Sequence, residues 1–140
     1  MPELPEVETT RRGIAPYCEG LALASFVVRN GALRWPVEPG LPNWLKGQEL
    51  KVVTRRSKYL LLRFDTGTLL VHLGMSGSLR VVEANAPIGK HDHIDMVFGE
   101  NVLRYNDPRR FGAFVWHEGD DVASHDLLRH LGPEPLDDAF

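Results

Sequence analysis

Tyr59-Leu60-Leu61-Leu62-Arg63-Phe64-Asp65-Thr66-Gly67-Thr68-Leu69-Leu70-Val71-His72 is the stretch on which the fold class turns. Two short apolar runs flank Asp65-Thr66-Gly67, where Gly tolerates the positive φ that a tight hairpin requires. The runs therefore read as antiparallel neighbours, Tyr59 to Phe64 and Thr68 to His72. A second such turn, Gly99-Glu100-Asn101, joins His93 to Phe98 with Val102 to Tyr105. Working outward, Leu21 to Arg29, Glu49 to Thr54, Ser78 to Val82 and Ala113 to Trp116 have the same strand-like composition.

Only the two ends read as helical. Leu4, Val7, Ile14 and Cys18 fall near helical spacing, Pro5 suits a first turn, and Glu8 to Arg12 is a favourable i,i+4 pair. These predict a helix from about Pro5 to Tyr17, ended by Gly20, and a second is expected over about Val122 to His130. Trp35 to Pro42 is the richest turn segment outside the hairpins. The expected fold is α+β and mainly β: a two-layer antiparallel β-sandwich flanked by an N-terminal and a C-terminal helix. Without repeats or a linker, the 140 residues read as one domain.

Composition narrows the function classes. A hydrophobic share of 43% supports a packed core rather than a disordered chain. Cys18 is the single cysteine, which excludes a disulfide framework or a Cys-based zinc site within this chain. No apolar run approaches a membrane span, and Glu3, Glu6 and Glu8 replace the basic start of a signal peptide, so a cytoplasmic address is expected. The net charge of −3 runs against a dedicated nucleic-acid binder, although Arg55, Arg56 and Lys58, and Arg109 with Arg110, form local basic clusters.

Chemistry concentrates in a few places. Removal of Met1 would turn Pro2 into a secondary amine, able to attack an electrophilic sugar carbon and form a charged iminium. A helix N-terminus just downstream would oppose its protonation, while Glu3 and Glu6 would favour it. Glu3 is the nearest candidate acid or base. The same residues also serve simply to start a helix. Arg55-Arg56-Ser57-Lys58-Tyr59 could neutralise several phosphates, with Lys58 able to move protons, or could be a solvated face. Gly74-Met75-Ser76-Gly77 holds a flexible apolar side chain between glycines, so Met75 could fill the space left by a flipped nucleotide or fill a core gap. Asp107-Pro108-Arg109-Arg110-Phe111-Gly112 joins cations to an apolar wedge, the combination that unstacks and kinks duplex DNA, unless Phe111 is core. Lys90-His91-Asp92-His93 has metal-like composition, but alternation would separate Asp92 from the two histidines; a phosphate contact by His91 or Lys90 is simpler.

Taken together, Met1-Pro2-Glu3-Leu4-Pro5-Glu6-Val7-Glu8-Thr9, His72-Leu73-Gly74-Met75-Ser76-Gly77, Lys90-His91-Asp92-His93 and Asp107-Pro108-Arg109-Arg110-Phe111-Gly112 closely resemble the formamidopyrimidine-DNA glycosylases of the Fpg/Nei family. They look less like its endonuclease VIII branch. The resemblance implies base-excision repair by a bifunctional glycosylase and abasic-site lyase. Its substrate would be double-stranded DNA carrying oxidised purines, namely 8-oxoguanine and formamidopyrimidines, with the damaged base flipped from the stack. It implies Pro2 as nucleophile, Glu3 as catalytic acid or base, Lys58 as a phosphate contact that assists elimination, and Glu6 beside the lesion pocket. His91 and Arg110 would bind DNA. Met75, Arg110 and Phe111 would fill the vacated gap, with Arg110 meeting the orphaned cytosine.

The family continues beyond this point into a half bearing a helix-two-turn-helix element and a zinc finger. No metal or other cofactor is therefore expected in residues 1–140, taken as the N-terminal catalytic domain. The 140 residues alone are expected to fold as a monomer, bind lesion DNA poorly and show little or no glycosylase activity. Two other classes stay open. One is a tautomerase using Pro2 as general base, and the other a non-enzymatic DNA-binding module.

Overall fold

The computed structural model describes residues 4–128, with side chains from residue 6 onward; Pro2 and Glu3 lie outside the described residues. Helix α1 (Leu4–Cys18) is followed by β1 (Ser25–Val28), the short helix α2 (Leu41–Leu45), β2 (Val52–Arg56), β3 (Tyr59–Arg63) and β4 (Gly67–His72). Then come β5 (Ser78–Glu83), β6 (Asp92–Phe98), β7 (Asn101–Asn106), β8 (Ala113–Glu118) and a 3-10 turn, Val122–Ser124.

The strands form two antiparallel four-stranded sheets, ordered β1-β6-β7-β5 and β2-β3-β4-β8. Both hairpins expected from sequence are present, with Gly99 at φ 61° and Phe64 N–H donating to the Gly67 carbonyl at 2.7 Å. The sheets face each other across one apolar core, with Phe64 on Phe98 and Tyr105 edge-on to Phe114 closing its two ends. Val7, Ile14 and Cys18 bury the inner stripe of α1 against that core. Burial pushes the Cys18 thiol up to about 11, which leaves it unreactive.

The run Leu60-Leu61-Leu62 does not alternate because both faces of its sheet are covered. Leu60 and Leu62 enter the main core, while Leu61, with Leu70 of β4, meets Leu128 on the outside. That outer cover lies where a second helix was expected, and it differs from the expectation. Across its described part it is the 3-10 turn and further turns to Leu128, with residues 129 and 130 outside the described residues. Side chains draw the backbone away from an α-helix here: Ser124 Oγ donates to the Asp121 carbonyl at 2.7 Å, and His125 is extended, with ψ 144°. The turn-rich segment from Trp35 runs into α2, which begins at Leu41 with Pro42 in its first turn. No helix among the described residues is long and apolar enough to cross a membrane.

Two contacts fix the direction of α1. Glu19, beyond its C-terminus, accepts the Val53 N–H at 2.7 Å, and Glu8, near its start, pairs with Arg55 at 3.4 Å. The helix thus runs antiparallel to β2, and its N-terminus points to the end of the sandwich where β2 turns into β3. Hydrogen bonds from Arg11 and also Arg12 hold the Glu8 carboxyl down at about 2, against the pull of burial. Because this pKa is depressed in the folded state, the stabilisation is present above about 4.5 and is lost as pH falls towards about 2. The urea midpoint of unfolding is expected to drop over that interval, and Glu8→Gln to flatten the drop.

Candidate active site

The two hairpin turns sit at one end of the sandwich, and the β4–β5 and β7–β8 connections, which cross between the sheets, sit at the other. At this second end, Arg56, Tyr59, His72 and Ala113 lie in one register row across β2, β3, β4 and β8. Ser78, Asn106 and Asp92 form the corresponding row of the facing sheet. Lys58, the Gly74–Gly77 loop and the Arg109–Gly112 loop all emerge beside these rows, so residues far apart in sequence meet.

Lys58 opens onto a cavity of about 370 Å³ that is also lined by Arg34, Trp35, Ser57, Tyr59, His72 and Leu127. Ser57 turns the chain tightly there, with φ 53°. His72 Nδ1 accepts the Gly74 N–H at 3.0 Å, which leaves Nε2 to carry the proton of the neutral ring. Burial, with the nearby charges of Arg34 and Lys58, pushes the His72 pKa below its ordinary value, so the ring is neutral near pH 7. Arg34 had no sequence signal. It arrives on the loop after β1, held by its N–H donating to the Gly112 carbonyl at 3.0 Å.

Beside the cavity stand two loops with apolar tips. Met75 and Phe111 are 61% and 48% exposed, so neither is core, and both present large apolar surface to solvent. The loops touch through their glycines. A Cβ on Gly74, whose φ is +68°, would lie 2.8 Å from the Gly112 nitrogen, and one on Gly112 would collide with the Tyr105 hydroxyl and lie 2.6 Å from the His72 carbonyl. Gly112→Ala is accordingly expected to lower stability by about 3 kcal/mol, read by urea unfolding, because backbone atoms block any simple relief.

Arg109 places its guanidinium 5.5 Å from the Phe111 ring centroid. Arg110, with φ 56°, donates from Nη1 to the Ala32 carbonyl at 3.0 Å. His91 is half-buried, and its carbonyl accepts the Asp107 N–H at 3.0 Å, which places it against the same turn. Glu6 is exposed in the first turns of α1 and reaches this end through the direction of the helix. Arg55, grouped from sequence with the phosphate-contacting cations, is instead engaged by Glu8, with only 6% of its side chain exposed.

The buried centre of this region is Asp107, quoted in the sequence motif but given no role there. Its Oδ1 accepts Ser76 Oγ at 2.7 Å and the Arg109 N–H at 3.2 Å. Its Oδ2 accepts the Tyr105 hydroxyl and the Gly112 N–H, the latter at 2.9 Å. Its carbonyl accepts His93 Nε2 at 2.8 Å. Burial opposes ionisation, but bonds from Tyr105, Gly112 and Ser76 outweigh it and hold the carboxyl below the usual range. Asp92 is engaged too, accepting from Gly89 N–H at 2.6 Å and Asn106 Nδ2 at 2.9 Å. No three His, Cys, Asp or Glu side chains converge as metal ligands among the described residues, and Cys18 is fully buried.

The family model for the formamidopyrimidine-DNA glycosylase N-terminal domain matches residues 1–114. A formamidopyrimidine-DNA glycosylase of Cellvibrio japonicus is 57% identical over 140 residues, covering 100% of this chain and 52% of the relative. One from Pseudomonas aeruginosa is 56% identical over 141 residues, with 100% and 52% covered. Among solved structures, Lactococcus lactis Fpg in complex with abasic-site DNA superposes with a TM-score of 0.86 at 35% identity, over 96% of this chain and 51% of that one. Wild-type Lactococcus lactis Fpg with DNA containing N7-benzyl-Fapy-dG gives 0.79 at 36%, over 86% and 45%. The chain spans about half the length of the curated relatives it matches.

Proposed function

Since this chain belongs to the formamidopyrimidine-DNA glycosylase family through its N-terminal domain, we propose that it supplies the nucleophile and the stack-filling loops of a base-excision repair enzyme. The substrate is double-stranded DNA bearing oxidised purines, 8-oxoguanine or formamidopyrimidine. The observation that carries this reading is the convergence at one end of the sandwich of the Lys58 cavity, the N-terminal end of α1 and the Met75 and Phe111 loops.

Pro2 is two positions upstream of the first described residue of α1. With Met1 removed, its nitrogen adds to C1′ of the flipped nucleotide, the bond from C1′ to the base breaks, and the base leaves with a proton supplied by an acid, the role of Glu3. The proline nitrogen then loses its proton as the C1′–O4′ bond breaks and O4′ takes up a proton. This opens the sugar ring and leaves a C1′=N iminium that withdraws electrons and acidifies C2′. Loss of that proton expels the 3′ phosphate, which is the lyase step. Lys58, Arg34 and His91 contact phosphates, and Lys58 assists the elimination. Glu6 borders the lesion pocket.

Met75 and Phe111 fill the gap in the stack at a cost of a few kcal/mol of unstacking, repaid by their buried area. Arg109 lies over the Phe111 ring and enters with it. Arg110 meets the orphaned cytosine on release of its bond to Ala32. The protein works as a monomer on nucleoid DNA in the bacterial cytoplasm. The relatives are about twice as long, and the zinc finger and helix-two-turn-helix expected in their remaining half add to the grip on DNA. The 140 residues alone therefore bind and cleave weakly.

Borohydride reduction in the presence of an abasic-site duplex tests the reading, because it traps even a small flux through the iminium. A covalent protein–DNA adduct is expected. Enol–keto turnover without an adduct would point to the tautomerase instead, and DNA binding without an adduct to the non-enzymatic module.

A further inference from the structure

Met75 and Phe111 stand on loops separated by more than thirty residues of sequence, yet both must enter one gap of fixed depth. Long side chains on independent loops would lose much of their benefit to the ordering of the loops themselves. What joins the loops in the fold is a buried carboxylate. Asp107 is fully buried, and each of its two oxygens takes donors from a different part of the region. Oδ1 takes Ser76 of the Met75 loop together with the Arg109 amide, and Oδ2 takes Tyr105 of the core together with the Gly112 amide.

Building on the proposed DNA-repair function, we propose that Asp107 is a positioning residue that, through Ser76, locks the Met75 and Phe111 loops into one rigid wedge. A carboxylate is the group this junction requires, since four donors surround it and it has only acceptors to offer. An amide in either orientation would turn an NH₂ towards one of the two pairs. The hydroxyls of Ser76 and Tyr105 could rotate to accept, but the amides of Arg109 and Gly112 could not, and one would lose its partner. The glycine contacts between Gly74 and Gly112 then hold the loops at backbone distance.

The test compares borohydride trapping on an abasic site in duplex DNA with trapping on the same abasic strand alone. The single strand has no opposing base and no gap to fill, so the ratio of the two isolates the wedge from the chemistry at Pro2. Ser76→Ala is expected to lower the duplex-to-single-strand ratio about tenfold, the effect of one lost positioning bond, and Ser76→Thr to restore it. Asp107→Asn is expected to lower the ratio at least as far; if that variant does not fold, the two Ser76 variants decide. A ratio unchanged in Ser76→Ala, or equal losses on both DNAs that leave it constant, would overturn the positioning role. No adduct from the unaltered chain on either DNA would remove the repair reading itself, and the wedge with it.

Discussion

Replacing Asp95 by Ala is expected to lower the free energy of unfolding by about 3–5 kcal/mol, because it strands a buried cation. Asp95 on β6 faces its cross-strand partner Arg104 on β7. Arg104 donates from Nε to Oδ1 at 2.9 Å and from Nη2 to Oδ2 at 3.0 Å, a bidentate pair with 3% and 7% of the two side chains exposed. Arg29 adds a third bond at 2.6 Å, and Arg104 also donates to the Pro87 carbonyl at 2.9 Å. Burial raises the cost of ionising Asp95, but its bonds to Arg104 and Arg29 outweigh that cost and hold its carboxyl below the ordinary range. Without Asp95, the Arg104 guanidinium would remain desolvated and uncompensated. Urea denaturation should show a lower midpoint with an unchanged slope. Replacing both Asp95 and Arg104 with apolar residues of similar volume should recover much of the loss, which distinguishes a stranded charge from lost packing.

The second large effect concerns chemistry. If the Pro2 nitrogen is an amide, because Met1 is retained or because the chain is acetylated, its lone pair is delocalised into the carbonyl and cannot add to C1′. Adduct formation on abasic DNA is then expected to fall more than about 10³-fold, with the urea midpoint unchanged. Lys58→Ala should behave differently. It removes a cation at the mouth of the cavity and slows elimination, while trapping of the iminium persists.

Much of the architecture was legible because it is local. The Gly99–Asn101 turn announces its hairpin through a glycine at positive φ, and the strands on either side follow. The Asp65–Gly67 hairpin also forms, but Gly67 is required there by close packing, since a Cβ would collide with the His117 carbonyl, and not by positive φ. The covering segment after β8 was less legible. Its apolar residues fit a helix, but hydrogen bonds from Ser124 and the extended His125 depend on Asp121 and on tertiary packing over Leu61 and Leu70. Helix α2 escaped notice because the residues leading into it, Trp35 to Pro42, are dominated by turn formers.

At the candidate site, the motifs marked Lys58, Met75, Arg110 and Phe111 individually, but not the crossover connections that assemble them. Arg34 and the hub formed by Asp107, Tyr105 and Ser76 acquire meaning only once β4 passes into β5 and β7 into β8 at the same end of the sandwich. Arg55 shows the converse. Its position in a run of cations suggests a phosphate contact, whereas its partner Glu8 lies 47 residues away on α1 and claims it for the fold.

The most direct measurement is the attachment site of the trapped adduct. After borohydride reduction with abasic duplex, nuclease digestion and tryptic cleavage, the residual sugar mass should appear on the peptide of residues 2–11, at the nitrogen of Pro2. The same mass on a peptide containing Lys58, or no modified peptide from a chain whose N-terminal proline is free, would contradict Pro2 as the nucleophile.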